Sequence, residues 1–337
     1  MEYLLKNPNV HIRDKAAVAR KLTRMSHDGR NGLMVISDFD FTLSKYCDKE
    51  GNRCWATHGV FDSGAKKVYP DLAEKLQRLK EKYIKIEFCP TLTSEEKSPY
   101  MVTWWNSSHD EILKTQFTYE LIESFIKESK IELREGCVDF IENLNTNKVP
   151  LIVFSAGIGN IIEIYLKQIF KEVPKNIHII SNMMEFNEEN VAVKFSEPLI
   201  HTFCKNSTVI RKEQSFFHKV SNRSNILLLG DSLGDLTMDA GVENEGVALK
   251  IGFLNFDFQN LLPKYLEGYD IVIVNDQSMN VPDHIINVIE EQSIISLPVI
   301  NPLISISDTC HSSADSSCKT DSDKVNQTQT ITASSNV

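Results

Sequence analysis

Hydrophobic positions along the chain follow two rhythms. Short unbroken apolar runs occur at Leu33 to Ser37, Pro150 to Phe154, Ile177 to Ser181, Ile226 to Leu229 and Ile271 to Val274. Continuous rather than alternating apolarity marks strands covered on both faces, the condition of a parallel sheet. Helical spacing fills most of the gaps between the later runs, at Ile161 to Phe170 and at Gln214 to Val220. Strand and helix in alternation predict an α/β fold with a doubly wound, mainly parallel sheet.

The interval between the first two runs is different. Leu72, Leu76, Leu79 and Tyr83 share one helical face, as do Leu121, Ile122, Phe125 and Ile126, and then Phe140, Ile141 and Leu144. A parallel crossover needs only about a dozen residues, so this interval predicts an inserted helical subdomain lying over the sheet. The expected organisation is a catalytic core of residues 1–48 and 148–296, with a helical cap at 49–147 and the N-terminal helix packing with that cap. From residue 297 the chain is rich in Ser, Thr, Asn and Asp, a composition that buries too little apolar surface to order itself. Residues 297–337 are therefore expected to form a disordered tail.

Composition narrows the function. A chain of 337 residues, 42% hydrophobic, can bury a sizeable core. Its formal charge of -10 argues against a nucleic-acid polymer as partner, which requires a basic face. The seven cysteines are an odd, scattered set and the N-terminus lacks the apolar segment of a signal peptide, so a reducing, cytoplasmic setting is expected. Cys47 and Cys54 have no second pair at finger spacing, which leaves them plain thiols. No apolar stretch approaches the ~18 residues of a membrane span, so no membrane association is expected. A monomer is the expected state.

Ligands of open α/β sheets bind beyond the carboxyl ends of the strands. After Leu33 to Ser37 comes Asp38-Phe39-Asp40-Phe41-Thr42, after Leu151 to Phe154 comes Ser155-Ala156-Gly157, and after Ile226 to Leu229 comes Gly230-Asp231-Ser232-Leu233-Gly234-Asp235. Two carboxylates at i and i+2 leaving a buried strand repel one another unless a cation or a proton intervenes. A hard divalent ion held by Asp38, the backbone carbonyl of Asp40 and Asp231 resolves the conflict, and magnesium suits a site with few carboxylates, water and a phosphate. Asp38 is then the candidate nucleophile and Asp40 the candidate general acid and base, with an aspartyl phosphate between the two half-reactions. A lone aspartate at a strand end is usually a cap or turn, but three strand ends agree here.

Other acidic-loop readings fail. An EF-hand starting at Asp38 would need Gly where Leu43 stands and Glu where Lys49 stands. A dinucleotide fingerprint at Gly157 and Gly159 has Ile162 in place of its third glycine. A DxD glycosyltransferase would explain the first acidic pair but not the Gly230 to Asp235 run.

These residues resemble the haloacid dehalogenase superfamily: Asp38, Asp40 and Thr42 match its DxDxT motif, Ser155 its second-motif hydroxyl, and GDSLGD its last acidic motif. Within it the chain is similar to the cytosolic 5'-nucleotidase III group, the pyrimidine and 7-methylguanosine-phosphate-specific 5'-nucleotidases. The similar stretches are ISDFDFTLS, MVTWW, FSAGIG, LIHTFCKNS, ILLLGDSLGDLTM, LKIGFLN and YDIVIV, from about Met34 to Val274. The resemblance implies a Mg2+-dependent 5'-nucleotidase that releases phosphate from a nucleoside monophosphate. It makes Lys205 the cation on the phosphate and the nucleophile, and gives Ser155 and the backbone at Ala156 the phosphate oxygens. Asp235 would support the metal from behind its direct ligands, orienting bound water, with Asp239 a nearby alternative.

Base recognition is implied for the inserted region. Glu87 matches a position that bonds the base edge, where the bland alternative is a charge on an exposed edge strand. Trp104, Trp105 and Ser108 fall in the segment that holds the base, and one indole of the pair is expected to be free to stack. The paired tryptophans look like the methylguanosine type, since an indole stacks well on a cationic purine. His58 looks like the pyrimidine type. Acceptance of 7-methyl-GMP together with CMP or UMP is the expectation. A nucleoside phosphotransferase would use the same residues, whereas a catalytically dead nucleotide-binding module would lack Asp38 or Asp40, and both are present.

Overall fold

The computed structural model describes residues 1–89, 91–205, 214–240, 242 and 246–295; the expected tail at 297–337 lies outside the described residues. In chain order the elements are α1 (Glu2–Lys6), β1 (Val10–His11), α2 (Lys15–Asp28), β2 (Leu33–Ser37), α3 (Pro70–Glu87), α4 (Ser94–Lys114), α5 (Tyr119–Lys127) and α6 (Cys137–Thr146). They continue with β3 (Leu151–Ile158), α7 (Gly159–Phe170), β4 (Ile177–Asn182), β5 (Met184–Phe186), β6 (Ala192–Phe195) and α8 (Gln214–Lys219). The last are β7 (Asn225–Gly230), β8 (Ala248–Leu254), α9 (Phe258–Gly268), β9 (Ile271–Val274) and α10 (Asn280–Ile295).

Seven strands form one sheet in the order β1-β9-β8-β7-β2-β3-β4, parallel throughout except for the short β1 against β9. The unbroken apolar runs are explained by two layers. In β2, Leu33 and Val35 enter one hydrophobic cluster while Met34 and Ile36 enter the other, and Leu227 and Leu229 of β7 likewise part from Ile226 and Leu228. Side chains alternate across a strand, so a sheet covered on both faces needs apolar residues at every position. Each such Leu, Ile or Val contributes about 1.5–3 kcal/mol by leaving water. Among the described residues no helix is long and apolar enough to cross a membrane.

The five expected strands form, but β1 and β8 of the same sheet, and the separate β5-β6 pair, were not anticipated. β8 carries Lys250 in its middle, which broke the apolar pattern; its ammonium is satisfied by Leu236 O at 2.7 Å and Asp239 at 2.9 Å. β1 is only two residues long. The helical patterns in the inserted interval appear as α3, α5 and α6, and a further helix, α4, opens with a capping box in which Thr93 and Glu96 bond each other's backbone amides. The N-terminal α2 packs against α10 and β8, anchored by Lys21 on Asp270 at 2.7 Å, rather than chiefly on the inserted helices.

Candidate active site

Sheet order places the chemistry. β2 lies between β3 and β7, and Ser37 stands opposite both Val153 and Leu229. The chain moves outward from β2 through β3 to β4, then returns to the other side through β7, β8 and β9, so the topology switches beside Asp38. The Asp38 amide extends the ladder by donating to Leu229 O at 3.0 Å. Asp231 and Ser155 therefore reach the same edge from the two neighbouring strands.

Carboxylate oxygens of Asp38, Asp231 and Asp235 all lie within 4.8 Å of one another. Lys205, 4% exposed, donates to Asp38 Oδ1 and to Asp235 Oδ1, the latter at 2.7 Å. Asp235 is fixed from its other oxygen by the Ser232 amide and hydroxyl, each at 2.9 Å. Tyr265 donates to Asp231 O at 2.6 Å and Tyr269 donates to Ser232 O, which pins the turn after β7. Glycine is required at 230, where a Cβ would stand 2.4 Å from that of Asp235. Asp239, the alternative to Asp235, is paired with Lys250 instead.

Charge in this cluster is unbalanced. Burial pushes Asp38 up to about 7, with Asp235 and Asp40 adding to the effect and Lys205 opposing it. Burial, then the Asp38 and Asp235 carboxylates, push Asp231 well above the carboxylate range. Burial alone would depress the Lys205 ammonium, but Asp235 and Asp38 outweigh it and raise it. One ammonium does not offset these carboxylates, and their all-oxygen donor set fits a hard divalent cation.

Asp40 leaves the strand in a different direction. Its Oδ1 accepts from the Thr57 amide and its Oδ2 from the Thr57 hydroxyl, both at 2.8 Å. Burial holds this carboxyl above its ordinary range, with the two Thr57 bonds opposing the rise. The following turn is held by Arg134, only 2% exposed, which donates to Thr42 O at 2.7 Å, to Phe41 O at 2.6 Å and to Asp276 O at 2.6 Å. These bonds support Phe41 in a left-handed conformation with φ of 64°. Neither Thr57 nor Arg134 was picked out from sequence. Arg134 bonds carbonyls 92 and 93 positions away, a pairing with no local signal.

Ser155 was expected just past its strand, but β3 continues to Ile158, and its pairing with β4 shifts register between Phe154 and Ile158. A bulge of this kind re-aims side chains at a strand end. The Ser155 hydroxyl accepts from Gly157 N at 3.0 Å. Asn182, fully buried and also missed, clamps the bulge by donating to Ala156 O at 3.0 Å and to Gly157 O at 3.1 Å, and it reaches Ile200 O at 2.8 Å.

A wall of aromatic residues stands over this edge. Trp105 is buried and donates from Nε1 to Ala156 O at 2.8 Å, joining α4 to the bulge. Trp104 is half-buried, edge-on to Trp105 at 5.1 Å and stacked on Tyr83 at 6.0 Å, so both indoles already have aromatic partners. His58 lies edge-on to Trp105 at 6.2 Å and parallel to His109 at 6.4 Å. Ser108 is buried on the same helix as the tryptophans. Glu87 ends α3 and is no edge-strand charge: Thr202 donates to its Oε1 at 2.7 Å, and burial raises the carboxyl. His201, three residues past the cis proline at 198, contacts Ser98 through Nε2 at 3.1 Å, a second tie from the Lys205 segment to the helices.

A doubly wound sheet that brings an aspartate pair, a strand-end serine and a lysine-bridged acidic turn to one edge has the layout expected of the phosphohydrolase class whose motifs the sequence resembles. Comparison with known proteins is specific within that class. The sequence profile described as pyrimidine 5'-nucleotidase (UMPH-1) matches residues 41–290, and the chain belongs to this family. It is 48% identical over 291 residues to a Caenorhabditis elegans protein named "Putative cytosolic 5'-nucleotidase 3", covering 86% of this chain and 77% of that one. It is 39% identical to the 7-methylguanosine phosphate-specific 5'-nucleotidase of Mus musculus, covering 82% of this chain and 91% of that one. The crystal structure of a cytosolic 5'-nucleotidase IIIB bound to cytidine superposes with a TM-score of 0.79 at 30% identity, covering 86% of this chain and 96% of the other.

Proposed function

We propose that this protein is a magnesium-dependent 5'-nucleotidase that hydrolyses pyrimidine and 7-methylguanosine 5'-monophosphates in the cytosol. The carrying observation is Lys205 bridging Asp38 and Asp235 inside a buried carboxylate cluster at the switch point of the sheet. Asp38 and Asp231, with the Asp40 carbonyl, would hold Mg2+, and Asp235 would support them from behind. When bound, the ion offsets the charge of these carboxylates and of the substrate phosphate.

The Asp38 carboxylate attacks phosphorus, and the bond from phosphorus to the 5' oxygen breaks. Asp40 gives its proton to that departing oxygen, leaving an aspartyl phosphate and a free nucleoside. Asp40 then takes a proton from water as the water oxygen attacks phosphorus, which returns Asp38 and releases phosphate. Lys205, the Ser155 hydroxyl and the Ala156 backbone hold the phosphate oxygens through charge-assisted bonds. Residues 49–147 serve as the cap, which presents Glu87, Trp104, Trp105, Ser108 and His58 to the base.

Phosphate release from CMP, UMP, 7-methyl-GMP, AMP and ribose 5-phosphate, with and without magnesium, tests this reading. Release is expected from the first three, is lost on chelation, and falls by at least about 10³-fold in Asp38→Asn. Wild-type rates in Asp38→Asn would remove the nucleophile, and preference for ribose 5-phosphate would remove the nucleotidase.

A further inference from the structure

Thr57 has no part in the scheme above, yet it is fully buried and both of its hydrogen-bond donors serve Asp40. Amide and hydroxyl take the two oxygens of one carboxylate in a fork, at 2.8 Å each. The neighbouring chain is shaped around that fork. A Cβ at Gly157 would stand 2.1 Å from the Thr57 hydroxyl and 3.0 Å from Asp40 Oδ2, so only glycine at 157 leaves room for both groups. The next residue, His58, sits in the aromatic wall against Trp105.

We propose that Thr57 is the positioning residue of the acid-base step, holding the Asp40 carboxylate toward the 5' oxygen and tying it through one peptide bond to the base-facing wall. The inference rests on the nucleotidase reading and deepens it. A hydroxyl suits the task because it rotates freely. It turns to meet Oδ2 while the backbone amide meets Oδ1, and the two bonds together give the carboxylate a single orientation.

Three variants separate positioning from packing. Thr57→Val keeps the shape and the amide bond but has no hydroxyl, Thr57→Ser keeps the hydroxyl, and Thr57→Ala omits it without adding a methyl should the valine not fold. In Thr57→Val, kcat for UMP or CMP is expected to fall about 10–100-fold, part of the ~10²–10⁴-fold span of general acid-base catalysis, with KM within about twofold. The serine variant is expected to restore kcat to within about threefold, and all three to melt within a few degrees of wild type. Unchanged kcat in Thr57→Val, or equal damage in Thr57→Ser, overturns the inference. A crystal structure of Thr57→Val gives a readout independent of turnover: Asp40 is expected to leave its place beside Gly157, and an unmoved carboxylate also overturns it. Activity of the wild type and its loss in Asp38→Asn report on the nucleotidase reading separately, so the two can fail independently.

Discussion

The sheet edge and the helical wall above it are built on opposite terms. At the edge, Asp38, Asp231 and Ser155 come from three adjacent strands whose register fixes them, and their surroundings are charged and tightly bonded. The wall is drawn from separate pieces: His58 from the start of the inserted stretch, Glu87 from the end of α3, the tryptophans from α4, and Thr202 from the segment that also carries Lys205. Its contacts are aromatic, with few hydrogen bonds. On the proposed reading, the charged edge serves the phosphate common to every substrate, and the apolar wall serves the base that varies.

The largest effect that separates the two regions is expected at Lys205. Lys205→Met leaves Asp38 and Asp235 buried without their shared cation, and breaking a buried pair this way costs about 3–5 kcal/mol. Thermal and urea unfolding are expected to show that loss, with magnesium recovering part of it because a ligand bound only by the folded state stabilises that state. Activity is expected to fall by at least about 10²-fold on every substrate alike. A variant as stable as wild type in the absence of magnesium would mean the edge is not locked by charge, and the contrast with the wall would dissolve.

A smaller, selective effect is expected at Glu87. Bonds to an ionised carboxylate are worth about 1.5–3 kcal/mol, or roughly 10–150-fold in kcat/KM. Glu87→Gln should lose that much on CMP and 7-methyl-GMP, whose bases carry an exocyclic amine, and less on UMP. Ribose 5-phosphate has no base to lose, so its turnover is the control. A uniform loss across all four would show that the change reached the edge through Thr202 and the Lys205 segment rather than the base.

The same division governs what the sequence disclosed. Strand-end carboxylates were legible because a buried parallel strand is a continuous apolar run, and a polar residue that ends it lands at the edge by geometry. Lys205 needed the family resemblance, since a lysine in a polar loop has no local mark. β8 was missed because Lys250 interrupts its pattern, with the cost offset by two bonds that only the tertiary structure reveals. Thr57, Arg134 and Asn182 were missed for a related reason: each bonds groups 17 or more positions away, and hydrogen-bonded partners leave no periodicity. In the wall, the paired tryptophans and an inequality between them were visible, but not which of the two is fixed. Trp105 is fixed by its bond to Ala156 O, while Trp104 is held against Tyr83 and Trp105 by ring contacts.

That inequality sets the smallest expected effect. Trp104→Leu removes a ring that leans on Tyr83 and Trp105 and has no hydrogen bond among the described residues, so the fold and the edge should be undisturbed. A cation stacked on an indole gains about 0.5–2 kcal/mol, so KM for 7-methyl-GMP, whose methylated ring carries positive charge, should rise about 2- to 30-fold. The neutral base of UMP lacks that attraction, and its KM should move less than about twofold. Steady-state kinetics on both nucleotides checks the difference. An equal shift would make Trp104 a packing residue of the α3 and α4 pair, leaving discrimination of the base to Glu87 and His58. A shift confined to the cationic purine would place part of substrate choice in a side chain that the edge never touches.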